Sequence, residues 1–136
     1  MTVFTDGGAR GNPGPAAIGF VIKNSSGEVI CQQGKTIGKT TNNVAEYQAV
    51  IEALKWLVQK KDLSFSQINF FLDSKLVVNQ LNGFFKVKET KMRNLIIEVR
   101  QFERELGGNV SYHLIPRQEN KHADSLVNQT LNKDQF

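Results

Sequence analysis

At 136 residues, 40% of them apolar and 22% charged, the chain is one domain's length with enough apolar side chains to bury a core, which excludes a disordered or fibrous protein. Seventeen Lys and Arg against thirteen Asp and Glu leave a net charge of +4, which permits a polyanionic partner without demanding one. Cys31 is the only cysteine, which excludes an internal disulfide and a cysteine-based zinc site, and no run reaches the ~18 apolar residues of a membrane span. The N-terminus lacks the basic-then-apolar pattern of a signal peptide, so a cytoplasmic location without a membrane partner is expected.

Val3-Phe4-Thr5 opens the chain as a strand, because these side chains suit a pleated, half-buried surface. The strand is expected to end in Asp6. Gly7, Gly8, Gly11 and Gly14, with Pro13 and Pro15, then predict a tight turn whose backbone can approach a ligand. Asp6 is either a turn opener or a carboxylate held at a strand end, where a metal bound to phosphate could sit. In Ala16 to Lys23, Ile18, Phe20 and Ile22 alternate with Gly19 and Val21, Asn24-Ser25-Ser26-Gly27 is a hairpin signal, and Glu28 to Gly38 reads as the returning strand. Cys31, in that strand, reads as a small buried apolar residue. Three strands joined by short turns predict an antiparallel meander.

Thr40-Thr41-Asn42-Asn43 offers several N-caps for a helix whose apolar stripe is Val44, Tyr47, Ile51, Leu54 and Val58, widened by Ala45, Ala49, Ala53 and Leu57. Glu46, at the edge of that stripe, reads by itself as a surface or capping-box residue. A loop is expected at 62–66. Gln67 to Asp73 follows as a strand, apolar enough to be covered on both faces. Asp73 by itself reads as the N-cap of a helix from Ser74 to Leu81, with Leu76, Val77 and Leu81 on its stripe. Asn82-Gly83 ends that helix. Phe84-Phe85-Lys86-Val87-Lys88 then interleaves aromatics with lysines, either to stack and charge-pair with nucleic acid or as a buried Phe pair with solvated lysines. A helix from Thr90 to Leu106 stops at Gly107-Gly108, a fifth strand spans Val110 to Ile115, and a last helix opens at Glu119 or Asn120 and carries Asp124 in its first turns.

This order predicts an α/β fold: a five-stranded mixed sheet, three antiparallel strands and then parallel additions, with helices on both faces. The carboxyl ends of parallel strands line one edge of such a sheet, and Asp6 and Asp73 are expected there, with Glu46 and Asp124 early in helices packed on it. Clustered carboxylates repel one another, so four acids at one edge make a poor structural device and a good site for a hard divalent cation.

From Thr5-Asp6-Gly7-Gly8 and Gly11-Asn12-Pro13-Gly14-Pro15, through Thr41-Asn42-Asn43-Val44-Ala45-Glu46 and Leu72-Asp73-Ser74, to Asn120-Lys121-His122-Ala123-Asp124, the chain resembles type 1 ribonucleases H and the related domains of reverse transcriptases. The resemblance covers essentially the whole chain and implies a single ribonuclease H domain over 1–136. It implies sequence-independent hydrolysis of the RNA strand of RNA/DNA hybrids to 5′-phosphate and 3′-hydroxyl ends. Asp6 would bridge two Mg²⁺ ions, for which Mn²⁺ would substitute, and Glu46, Asp73 and Asp124 would complete their ligands. One ion then activates the attacking water and the other stabilises the leaving oxygen. Glu46 would also meet the 2′-hydroxyl beside the scissile bond, which DNA lacks.

By the same resemblance Asn12, Asn42 and Asn43 contact sugars and bases of the hybrid, and Thr41 contacts a phosphate of the DNA strand. Helix capping is the other reading of Asn42 and Asn43. Lys75 stands where many members have a polar amide, and Arg117 is a substrate contact or an orienter of Asp124. Two departures stand out. Leu114 occupies the position where several members carry a loop histidine, with His113 facing the other way on its strand and His122 reading as an exposed helix residue. The connection after Gly83 is too short for a basic protrusion, which leaves the grip to the amides, Thr41, Lys86, Lys88, Lys91 and Arg93. A monomer is expected. Double-stranded RNA as a further substrate, an inactive binding module of the same fold, and a piece of a reverse transcriptase-like protein are the alternatives.

Overall fold

The structure is a computed structural model that describes residues 1–60 and 67–133; the loop expected at 62–66 lies outside them. Strands β1 (Thr2–Ala9), β2 (Gly14–Lys23) and β3 (Val29–Thr40) are followed by α1 (Asn42–Gln59), β4 (Ile68–Leu72), α2 (Lys75–Leu81), α3 (Thr90–Glu105) and β5 (Val110–Leu114). A 3₁₀ turn at Arg117–Glu119 leads into α4 (Lys121–Lys133). The strands form one sheet in the order β3-β2-β1-β4-β5. Pairing is antiparallel through β1, β2 and β3 and parallel from β1 to β4 and from β4 to β5, which is the mixed sheet expected. No helix among the described residues is long and apolar enough to cross a membrane.

Two adjacent glycines in β1 report which helix covers which face. A Cβ on Gly7 would lie 2.2 Å from the Ala45 carbonyl oxygen of α1, whereas one on Gly8 would meet Val127 of α4 at 3.7 Å. Successive strand residues face opposite ways, so α1 and α4 lie on opposite faces of the sheet. The larger core lies on the α1 side, where Val3, Phe70 and Tyr112 join Tyr47, Ile51, Leu54, Leu57, Leu95 and Val99. The smaller cluster, on the α4 side, comprises Ala17, Val127 and Leu131.

Several expectations are corrected. β1 does not stop at Asp6: Gly7, Gly8 and Ala9 continue the ladder opposite Ile18, Ala17 and Ala16, and the turn occupies 10–13. Glycine survives inside this strand because a helix backbone presses on it, a contact that a side chain would prevent. β3 likewise runs on to Thr40. β2 is the strand buried on both faces, whereas β4 alternates buried with half-buried residues. The open face beside β4 carries a stack of rings, Phe4 on Phe71 at 5.4 Å and Phe71 on His113 at 5.1 Å between centroids. Cys31 is half-buried on the edge strand β3 and packs against the core. In α2 the buried stripe is Val77, Val78 and Leu81, and Leu76 is exposed.

The close approach at Gly7 predicts a steep stability cost. Gly7→Ala should destabilise the fold by about 3 kcal/mol or more in urea unfolding, since two backbones must separate. Gly8→Ala, which makes only an ordinary contact, should stay within about 1 kcal/mol of wild type. Equal losses would mean that α1 does not rest on the β1 backbone.

Candidate active site

Each acid of interest is carried by a different element, and local chemistry explains each placement. Asp6 sits in β1 opposite Gly19 of β2, two residues past the last pair that β1 makes with β4, Phe4 with Phe71. It therefore stands at the carboxyl end of the parallel half of the sheet while remaining inside the antiparallel half. Glu46 lies in the first turns of α1, whose N-cap is Thr41 with its hydroxyl accepting from the Val44 N–H. The cap thus falls on Thr41 and not on Asn42 or Asn43. Asp73 directly follows β4. It does not cap α2, because Ser74 takes that place and accepts from the Val77 N–H. Asp124 occupies the first turn of α4.

These elements bring carboxylate oxygens of Asp6, Glu46 and Asp73 within 4.8 Å of one another. Asp124 lines the same cavity as Asp6 and Glu46, a cleft of about 360 Å³ that Gly7, Gly8, Arg10, Asn42, Arg117 and Asn128 also border. Its Oδ2 accepts a bond from Asn128 Nδ2 at 3.3 Å. Glu46 is only 8% exposed, against its reading as a surface or capping residue, and its Oε2 has no hydrogen-bond partner among the described residues. Glu46 falls in the buried run Val44–Tyr47, where α1 rests on the sheet backbone at Gly7, so even the edge of its stripe is covered.

The electrostatics follow from the crowding. Burial, then the charge of Asp73, then Asp124 push the Asp6 carboxyl up to about 7. Burial and the charges of Asp6 and Asp73 drive Glu46 well above the ordinary carboxylate range. A buried carboxylate oxygen without a donor, in a cluster of hard oxygen ligands that resist ionising together, fits a divalent cation, which supplies the missing positive charge. Asp6, Glu46 and Asp73 could hold such an ion, with Asp124 at the open side of the cleft.

The residues assigned to substrate surround the cleft with unequal freedom. Asn12 Oδ1 accepts from the Asn42 N–H at 2.9 Å, and Asn42 Oδ1 accepts from the Ala9 N–H at 2.8 Å. These two amides pin the β1–β2 turn to the start of α1 through their oxygens and keep their N–H₂ groups for other acceptors. Asn43 lies beside them at the start of α1. Lys75 is exposed at the first position of α2, and Arg117 opens the 3₁₀ turn at the cleft. Leu114 is exposed. His113 is turned to the open face, where it meets Asn69 Oδ1 at 3.1 Å, and exposed His122 borders a small hollow beside Phe4 and Lys23. Neither Arg10 as a cleft residue nor Asn120 as the partner of Asp73 was foreseen from the sequence. Arg10 is held by Asn132 Oδ1 at the end of α4 through a 2.6 Å bond, a contact 122 residues away in sequence that no local pattern signals.

A family model described as reverse transcriptase-like matches residues 4–130. LC11-RNase H1, solved in complex with an RNA/DNA hybrid, is 40% identical with a TM-score of 0.94, and the match covers 99% of both chains. The chain belongs to the type 1 ribonuclease H family. The RNase H1 structure from the halophilic archaeon Halobacterium salinarum is 37% identical over 97% of each chain, with a TM-score of 0.87. The N-terminal ribonuclease H domain of a Mycobacterium tuberculosis protein is 35% identical, with a TM-score of 0.85 over 95% of this chain and 98% of that one. The chain spans 62% of the full Halobacterium salinarum ribonuclease HI, to which it is 38% identical, and 35% of the bifunctional mycobacterial protein. As in the short form of the family, the segment between α2 and α3 is only residues 82–89, without room for a basic protrusion.

The raised Asp6 value makes a signed prediction for metal-free protein. Between 3.8 and about 7 the folded carboxyl binds a proton more readily than the unfolded one, so stability falls as pH rises through that window. The ionised, metal-free fold loses on the order of 4 kcal/mol to this group above it. Asp6→Asn should therefore raise the melting temperature in chelator strongly at pH 8 and little at pH 4, and Mg²⁺ should narrow the gap. An equal gain at both pH values would contradict the strained carboxylate.

Proposed function

We propose that this chain is a ribonuclease H domain that hydrolyses the RNA strand of RNA/DNA hybrids, leaving 5′-phosphate and 3′-hydroxyl ends, with Mg²⁺ or Mn²⁺ held by Asp6, Glu46, Asp73 and Asp124. The observation that carries this reading is the convergence of three mutually destabilising carboxylates, one with a buried and unpartnered oxygen, in a family with a hybrid-bound member. A bound divalent cation supplies Lewis acidity toward the phosphoryl group and lowers the pKa of water. The chain's own residues hold the acids on sheet and helix around a cleft that Val127 and Leu131 also line. In this reading Glu46 meets the 2′-hydroxyl next to the cleaved bond, a group that RNA has and DNA lacks.

Grip on the duplex is shared by unlike groups. The N–H₂ groups of Asn12 and Asn42, anchored through their oxygens, donate to sugar and base-edge acceptors without specifying sequence. Arg10 and Arg117 are the cations of the cleft and meet phosphates beside the cut. On the far side of α2, Phe84 is 74% and Phe85 45% exposed among exposed Lys86, Lys88 and Lys91, so the pair is not buried and is free to stack while the lysines neutralise phosphate.

Labelled RNA/DNA, RNA/RNA and DNA/DNA duplexes incubated with the protein in Mg²⁺, Mn²⁺ or EDTA test the proposal. The RNA strand of the hybrid should be cut in either metal, the DNA duplex should remain whole, and chelator should stop cleavage. Asp6→Asn should lower turnover on the order of a thousandfold or more. Full activity in EDTA, or in Asp6→Asn, would overturn the assignment.

The cationic edge of the cleft has a separate test that needs no turnover. In Asp6→Asn protein, hybrid affinity should fall with salt, and Arg10→Ala or Arg117→Ala should each flatten the log–log slope by roughly 0.7–0.9, one phosphate contact apiece. Unchanged slopes would make both arginines structural.

A further inference from the structure

Asn120 joins the 3₁₀ turn to α4 and takes no part in the chemistry above. Its side chain is 1% exposed. Its backbone is held on both sides, the N–H donating to the Arg117 carbonyl at 3.0 Å and the carbonyl accepting the Asp124 N–H at 3.1 Å. From that fixed point Nδ2 donates to the Thr5 carbonyl at 2.9 Å and to Asp73 Oδ2 at 3.1 Å. Both partners accept only, so chemistry dictates that the amide nitrogen and not its oxygen faces them. Oδ1 is left buried without a partner among the described residues, an arrangement that is destabilising by itself.

We propose that Asn120 is a positioning residue for Asp73. Its two N–H groups tie Asp73 Oδ2 to the backbone of β1, one residue before Asp6. Asp73 directly follows the last residue of β4, so rotation of its side chain is otherwise checked only by its neighbours. The amide converts it into a ligand at a set distance from Asp6. The Asn120 backbone carbonyl, which accepts the Asp124 N–H, ties the first turn of α4 to the same residue, so the side chain fixes Asp73 against β1 beside Asp6 while the backbone holds the turn that carries Asp124. The inference deepens the metal-site reading above and rests on it.

Mn²⁺ binding to the substrate-free protein, measured by calorimetry, tests the inference through a double-mutant cycle of Asn120→Ala and Asp73→Asn. Asn120→Ala should weaken Mn²⁺ binding about tenfold, as loss of a hydrogen-bond partner of a metal ligand typically does. In the Asp73→Asn background the same change should add nothing, because the group it acts through is already disabled. KM for the hybrid should be unchanged in Asn120→Ala, since the side chain is buried away from substrate, while kcat at fixed low Mg²⁺ falls. Wild-type Mn²⁺ affinity in Asn120→Ala, or losses that add in the double variant, would overturn the positioning role. Wild-type Mn²⁺ affinity in Asp73→Asn would instead overturn the metal site itself. If Asn120→Ala does not fold, Asn120→Ser carries the same cycle, with the same outcomes deciding.

Discussion

The site depends on bare backbone at two points of the sheet. At Gly7 the Ala45 carbonyl of α1 occupies the space of a side chain, and at Gly19 a Cβ would lie 2.6 Å from the Ala123 carbonyl of α4. Gly19 is the partner of Asp6 across the β1–β2 ladder, and Gly7 is its neighbour in the chain. Asp6 is thus bracketed by the two places where helices from opposite faces come down onto the strands. Ala45 immediately precedes Glu46, and Ala123 immediately precedes Asp124. Each contact delivers an acid to the same spot, and a methyl group at either glycine would hold that acid away.

The price of this convergence is electrostatic. Asp6 and Glu46 are buried with few donors, and their raised values record how poorly the metal-free fold accommodates their charges together. The fold tolerates them because the acids are carried by elements that are secured elsewhere, α1 through a core of Tyr47, Ile51, Leu54 and Leu57, and β4 through Phe70 and Leu72. Stability is thus stored on the α1 side and spent at one sheet edge, which is the pattern expected of a strained functional site.

The periphery shows how few side chains serve two ends. Asn12 and Asn42 use their oxygens to lock the turn at 10–13 against α1, so the groups left for a ligand are presented from a rigid frame. Arg10 is held in the same way by Asn132. The face beside β4 that no helix covers is closed by the Phe4–Phe71–His113 stack, with the Lys23 ammonium 5.3 Å above the Phe4 ring. That stack explains an apolar β4 on a half-open sheet: its outward residues pack sideways, on rings, instead of under a helix.

Period and punctuation carried much of the fold in the sequence. Helical spacing in α1, α3 and α4, the Asn24–Gly27 turn and the glycine stops placed each strand and α-helix within a few residues, because these signals arise from near neighbours; the 3₁₀ turn at Arg117–Glu119 was not among them. The four acids were legible as a set through the sheet edge that the element order predicts and through their motifs, since each alone reads more simply as a turn opener, a surface residue or a cap. Tertiary structure decided the rest. That Gly7 and Gly8 are strand and not turn depends on α1 and α4 pressing from opposite sides. Glu46 is buried because its helix touches the sheet backbone, and Asp73, one residue before the Ser74 cap of α2, is engaged with Asn120 instead. Arg10 and Asn120 join the site through partners 122 and 115 residues away, Asn132 and Thr5. Local spacing holds no record of contacts that exist only once the chain has closed on itself.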